Sequence, residues 1–202
     1  MARETLSYLC IGSLGTGFGE AALDRGLELG ADFIGADAGS VDGGPGALAG
    51  GPPAWAYDAY YRDLSLLIRG ARKAGIPLLV GSCALSGRDW GVDYFAEMAR
   101  KIAQEHGLSF NLTRIYSELN PDIVAERVKG GRIHPIQPAP DYDVAAVRRS
   151  TRIVGVMGTE PFLHALEGGA DVVLAGRSTD TAIFAAIPLS AGFDPGLCWH
   201  AA

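Results

Sequence analysis

Asp37 and Asp42 stand five residues apart in DAGSVDGGP, a glycine-rich stretch that follows a short apolar run. Two carboxylates so placed can act as general acid and base, or offer oxygen ligands to Mg²⁺. The same residues also suit Asx turns, in which a carboxylate caps its own loop. Ser40 lies between them as a hydrogen-bonding group. Ser82 and Cys83 follow another apolar run, IPLLV. There a hydroxyl and a thiol can hold a substrate oxygen. A nucleophilic Cys83 would need a nearby base; otherwise it is an inert buried thiol. Glu118 follows a further run and adds an acid/base candidate. Arg177, Ser178 and Asp180 follow ADVVLA. Arg177 either pairs with Asp180 or presents its planar fork to a carboxylate or phosphate.

The stretch GSLGTGFGEAA, from Gly12 to Ala22, carries G-x-G-x-x-A through Gly17, Gly19 and Ala22. Asp37 comes about 20 residues later, the outline of a dinucleotide fingerprint. In that reading backbone N–H groups at the helix start cradle a diphosphate, with Asp37 on a ribose. An NAD(P)-dependent oxidoreductase is therefore the alternative activity. The competing reading is a tight turn that needs positive φ.

Other chemistries are excluded by what the chain lacks. The histidines and cysteines show no H-x-x-x-H or C-x-x-C spacing, so no zinc site is expected and no residue is assigned as a metal ligand. No P-loop and no G-x-S-x-G elbow occurs. With 17 Lys plus Arg against 23 Asp plus Glu, a net charge of −6 and no basic run, no nucleic-acid partner is expected. No apolar run approaches the roughly 18 residues of a membrane span, and no signal peptide is evident. Three well-separated cysteines suit a reducing, cytoplasmic setting and not a disulfide framework.

The elements that must position these residues alternate along the 202-residue chain. Apolar runs predict strands at Leu6–Ile11, Ala31–Ala36, Ile76–Val80, Leu108–Tyr116 and Ala170–Ala175. Periods near 3.6 predict helices over Glu20–Leu29, Trp55–Ala74, Val92–His106, Ile123–Val128 and Glu160–Leu166, with another after Arg177. Asp37–Pro53 reads as a long loop, and the Pro-rich Gly130–Asp143 as a surface crossing. Strands alternating with helices mean βαβ units. The fold class is therefore α/β: a mainly parallel sheet of about five strands flanked by helices, with Rossmann-like layering. Residues 1–202 are expected to form a single domain. Ligands of such sheets bind beyond the carboxyl ends of the strands, where the candidate residues sit.

Five ordered blocks resemble the acyclic terpene utilisation (AtuA) family: Asp37–Pro45, Ala74–Gly87, Ile115–Ile133, Arg152–Ala186 and Gly192–Gly196. Members of that family are about twice this length, so the chain resembles the N-terminal portion of a longer protein. The resemblance implies a soluble bacterial protein that serves the breakdown of citronellol, geraniol and related branched acids as CoA thioesters. The resemblance gives a pathway more than a reaction; within it the first reading is an enzyme of the lyase or hydratase type, adding or removing water beside a thioester or carboxylate. Asp37, Asp42 and Glu118 are then the acid/base candidates. Ser40, Ser82, Cys83, Ser178 and Asp180 join Gly15, Gly17 and Arg177 around the substrate. The sequence requires no cofactor; Mg²⁺ and a CoA thioester substrate fit it. The expected partner is a small molecule, with a second copy or another chain as the alternative in which this chain supplies half a site.

Overall fold

The computed structural model describes residues 5–39, 44–140 and 142–202. Five strands form one sheet: β1 (Tyr8–Ile11), β2 (Phe33–Gly39), β3 (Leu78–Leu85), β4 (Leu112–Ile115) and β5 (Val172–Ala175). Their order is β1-β2-β3-β5-β4, and every pairing is parallel. The helices are α1 (Glu20–Glu28), α2 (Gly44–Ala49), α3 (Tyr57–Ala74), α4 (Asp89–His106), α5 (Pro121–Lys129), α6 (Val144–Arg149), α7 (Glu160–Glu167), α8 (Ala182–Ser190) and α9 (Pro195–Ala201).

The period of two along each strand sorts the core into two layers. Ile34, Ala36, Leu78, Val80, Val172 and Leu174 face α1, α3 and α4. Phe33, Leu79, Val173 and Ala175 face α7 and α8. Both faces are covered, which is why the strands read as nearly unbroken apolar runs. On α3 the buried stripe is Tyr60, Leu64, Leu67, Ile68 and Ala71, the spacing of one helical face. Each large side chain of that stripe contributes about 1.5–3 kcal/mol by leaving water. The helix stops at Gly75, whose φ is 70°.

Three expectations shift. The strands β2 and β3 run on past their apolar residues, to Gly39 and Leu85. Backbone pairing needs no apolar side chain, so Asp37, Ser82 and Cys83 belong to strands and not to the loops after them. The supposed loop after β2 holds α2, because Ala47-Leu48-Ala49 are good helix formers between glycines. Residues 108–111 precede β4 instead of forming it. Among the described residues no helix is long and apolar enough to cross a membrane.

Candidate active site

Asp37 stands near the carboxyl end of β2, paired in register with Gly81 of β3. By strand parity it points to the same side as Phe33, toward α8. The register slips between Asp37 and Gly39. Gly39 is needed there: a Cβ on it would lie 2.2 Å from the Leu85 carbonyl and 2.3 Å from that of Ser82. The Asp37 carboxylate accepts from the Gly39 N–H at 3.2 Å. Burial pushes its pKa from the ordinary 3.8 up to about 6. The negative charge of Asp180 adds to the rise, while the Gly39 N–H, the Arg177 guanidinium and the Ala38 N–H restrain it.

The end of β3 is strained. Ser82, Ala84 and Leu85 have φ of 52°, 56° and 80°, a region that costs a residue with a side chain about 1 kcal/mol or more. This contortion turns two carbonyls toward Arg177. The buried Arg177 donates Nε–H to Ser86 O at 3.3 Å and an Nη2 proton to Leu85 O. Its backbone N–H donates to Ser117 Oγ at 2.8 Å, and Ser117 Oγ donates to Gly87 O at 2.7 Å. Burial pulls the guanidinium pKa below its usual value, opposed by Asp37 and Asp180. Arg177 forms no ion pair with Asp180, which lies exposed in the turn before α8. Among the described residues, two of the five guanidinium N–H donors are engaged, which leaves three for a ligand.

A cavity of about 380 Å³ opens at this guanidinium. Pro45, Ala47 and Leu48 of α2, Gly44, Ser86, Val154 and Val156 form the rest of its wall. The lining is apolar apart from Arg177 and Ser86, and the volume falls in the range of small-molecule sites. A larger groove of about 440 Å³ lies between α1, α3 and the end of α4, lined by Asp24, Arg69 and Lys73 among others. It is set in the helix layer, away from the strand ends, and is not the favoured site.

Other residues named from the sequence have different surroundings. The Gly15 and Gly17 N–H groups are already engaged: both donate to Asp63 Oδ2, at 2.9 and 3.0 Å. Asp63 is a fully buried residue of α3 that sequence reading missed. Its signal was an acid inside the apolar stripe, one turn from Tyr60 and Leu67. Of the Gly17/Gly19/Ala22 turn in the dinucleotide reading, the Gly17 N–H is thus taken by the chain's own carboxylate. Cys83 is wholly buried in the layer under α3 and α4, and burial pushes its thiol pKa up. It is a core residue and does not line the cavity. Ser82 Oγ donates to Ser178 O and accepts from Ser178 N–H, both at 3.3 Å. Its hydroxyl ties β3 to the segment after β5 instead of facing open space. Glu118 accepts from the Asp89 N–H at 3.2 Å and from Arg152 Nη1 at 3.0 Å, so both oxygens are occupied. Ser40 and Asp42 lie outside the described residues. Among the described residues no group of three or more His, Cys, Asp or Glu is placed to hold a metal. The cavity walls Leu48, Val154 and Val156 were not legible as site residues, since isolated apolar residues carry no chemical signature.

A family model described as "Acyclic terpene utilisation family protein AtuA" matches residues 57–193. No curated protein matches the chain. Among solved structures, the chain is similar to inosine 5′-monophosphate dehydrogenase from Legionella pneumophila, at 15% identity and a TM-score of 0.31. That alignment covers 90% of this chain and 45% of the other, so the chain spans less than half the length of that relative.

Proposed function

The chain belongs to the acyclic terpene utilisation family, and from that premise we propose that it is an enzyme acting on a branched acyclic acid or its CoA thioester. The reaction is the addition or removal of water beside the carbonyl. The supporting observation is an apolar cavity with Arg177 in its wall; Asp37 is not among the lining residues, but it stands close enough to feel the Arg177 charge, and burial pushes its pKa up to about 6 against that charge. Arg177 binds the carboxylate or thioester oxygen with its free donors and offsets the charge that develops there. The branched chain lies against Leu48, Val154 and Val156. A carboxyl with pKa about 6 is ionised at neutral pH yet readily reprotonated. In dehydration Asp37 takes the proton from the carbon next to the carbonyl. The electron pair forms the new double bond, and the departing hydroxyl receives that proton from Asp37 and leaves as water. Hydration is the reverse.

In this reading Ser82, Ser178 and Glu118 brace the site, and Asp180 tunes Asp37. The protein acts in the cytoplasm on a small molecule, as the N-terminal α/β part of a longer protein. The test incubates the chain with citronellate, its unsaturated and hydroxylated relatives, and their CoA thioesters, and follows gain or loss of one water by mass spectrometry. Asp37→Asn is expected to lower turnover roughly a hundred- to ten-thousandfold. Arg177→Gln is expected to raise KM for the same substrate. Full turnover in Asp37→Asn overturns the assignment, as does NAD(P) reduction without water transfer.

One observation favours a second reading, that of half a site completed by a partner. Leu197 and Trp199 of α9 are 67% and 41% exposed, and together they would mark a contact surface if they form part of a contiguous apolar patch. Sedimentation decides it: a dimer that Trp199→Ser dissociates, with loss of activity, supports the half-site.

A further inference from the structure

The wall formed by α2 is held differently from the rest of the cavity. None of its residues is buried. It begins at Gly44 and is followed by Gly50, with φ of 63° and 158°. The Gly50 and Gly51 N–H groups turn back onto Gly46 O within the same segment. Among the described residues, one hydrogen bond joins residues 44–51 to the body of the protein: Arg88 Nη2 donates to Gly51 O at 3.1 Å.

Arg88 is itself built in. It is 8% exposed, and its guanidinium carbon lies 5.3 Å from the centre of the Trp90 ring. Its Nε–H is buried without a partner. A buried unpaired donor costs about 1–3 kcal/mol, so the position is not one that stability alone favours. Gly87 joins Arg88 to the site: a Cβ there would lie 2.3 Å from the Arg177 nitrogen. Ser86, one residue further back, accepts from Arg177 Nε and lines the cavity. One short segment therefore grips the anion-binding arginine at one end and, through Gly51, the turn that follows α2 at the other.

We propose that Arg88 is a positioning residue that latches α2 over the cavity, so that α2 acts as a movable wall selecting long branched acids over short ones. The inference rests on the reading of the cavity as the acid site. Arg88 does not touch the acid. It raises the fraction of chains in which Pro45, Ala47 and Leu48 are in place, and apparent affinity scales with that fraction. A short acid reaches Arg177 without meeting α2, and is indifferent to the latch.

The experiment uses the full chain and two probes, citronellate and isovalerate, measured by titration calorimetry, with hydrogen exchange followed over residues 44–51. Arg88→Ala is expected to weaken citronellate about tenfold, leave isovalerate unchanged and speed exchange in 44–51. Arg88→Lys restores part of the loss. Leu48→Ala, at a half-exposed position on α2, reproduces the chain-length split without touching the core. Equal weakening of both acids, or none, overturns the latch. If neither acid binds the unaltered chain, the acid-site reading falls. The latch is then judged by exchange alone, and unchanged protection in Arg88→Ala overturns it.

Discussion

Two glycine-bearing turns leave the same edge of the sheet and are closed in opposite ways. After β1, the N–H groups of Gly15 and Gly17 converge on one buried carboxylate, Asp63. That turn is electrically complete, and its Leu14 N–H is bonded to the Asp37 carbonyl at 2.8 Å. At the carboxyl end of β3, the backbone is forced into left-handed φ at three residues with side chains. It spends its carbonyls on Arg177, which keeps donors free beside a cavity. The first turn resembles a phosphate site in sequence and behaves as scaffolding. The second has no fingerprint and holds the strain and the open space. Glycine spacing reports where backbone must turn or approach closely. Whether the turn binds anything depends on which of its donors the protein has left unpaired.

Removing the acid of the closed turn gives the largest expected stability effect. Asp63→Ala strands two N–H groups in the interior, at a cost of about 3 kcal/mol. That lowers Tm by roughly 6–12 °C in calorimetry. A change of a degree or two would mean that Asp63 does not hold the turn, and the nucleotide reading would return.

Asp37→Asn sharpens the contrast in the opposite direction. Its raised pKa means the folded chain binds more protons than the unfolded chain between about pH 4 and 6. Stability therefore falls as pH rises through that window, and the penalty is complete above pH about 6. Asn carries no such penalty. At neutral pH the variant should be more stable by about 1–2 kcal/mol, after discounting for partial exposure, and the gain should vanish toward pH about 4. Thermal melts across that range read it directly. A pH-independent difference would show that Asp37 is not the displaced carboxyl. Loss of function with gain of stability is the signature of a reactive group held against its preference.

The smallest effect belongs to Glu118, which spans α4 and Arg152 near the rim. Arg152 is 45% exposed and screened by water. Glu118→Gln should cost under about 1 kcal/mol and leave turnover within about twofold. Collapse of turnover with an unchanged melt would move Glu118 into the reacting groups.

Much of the scaffold is legible in the amino-acid sequence. The alternation of apolar runs with 3.6-period stretches, and glycines such as Gly75 at helix ends, located the strands and long helices of an α/β sheet to within a few residues. Asp37 and Arg177 were legible because polar groups directly after apolar strand residues fall on the binding edge of a parallel sheet. Asp63 was not read, although an acid in an apolar helix stripe announces a buried partner. The lengths of β2 and β3 were not legible either, since Gly39, Ser82 and Cys83 pair through backbone atoms that side-chain hydropathy does not report.

The sequence by itself determined the α/β class and the edge of the sheet where polar groups gather. Periodicity and the chemistry of single residues are local properties, and they survive in a string of letters. Only the tertiary structure decided which of those groups are free. It brought Asp63 of α3 to the β1 turn, the Leu85 and Ser86 carbonyls to Arg177, and α2 over the cavity. Hydrogen-bond satisfaction, burial and the displacement of a carboxyl pKa depend on neighbours far apart in the chain. They come into being only when the strands are laid side by side.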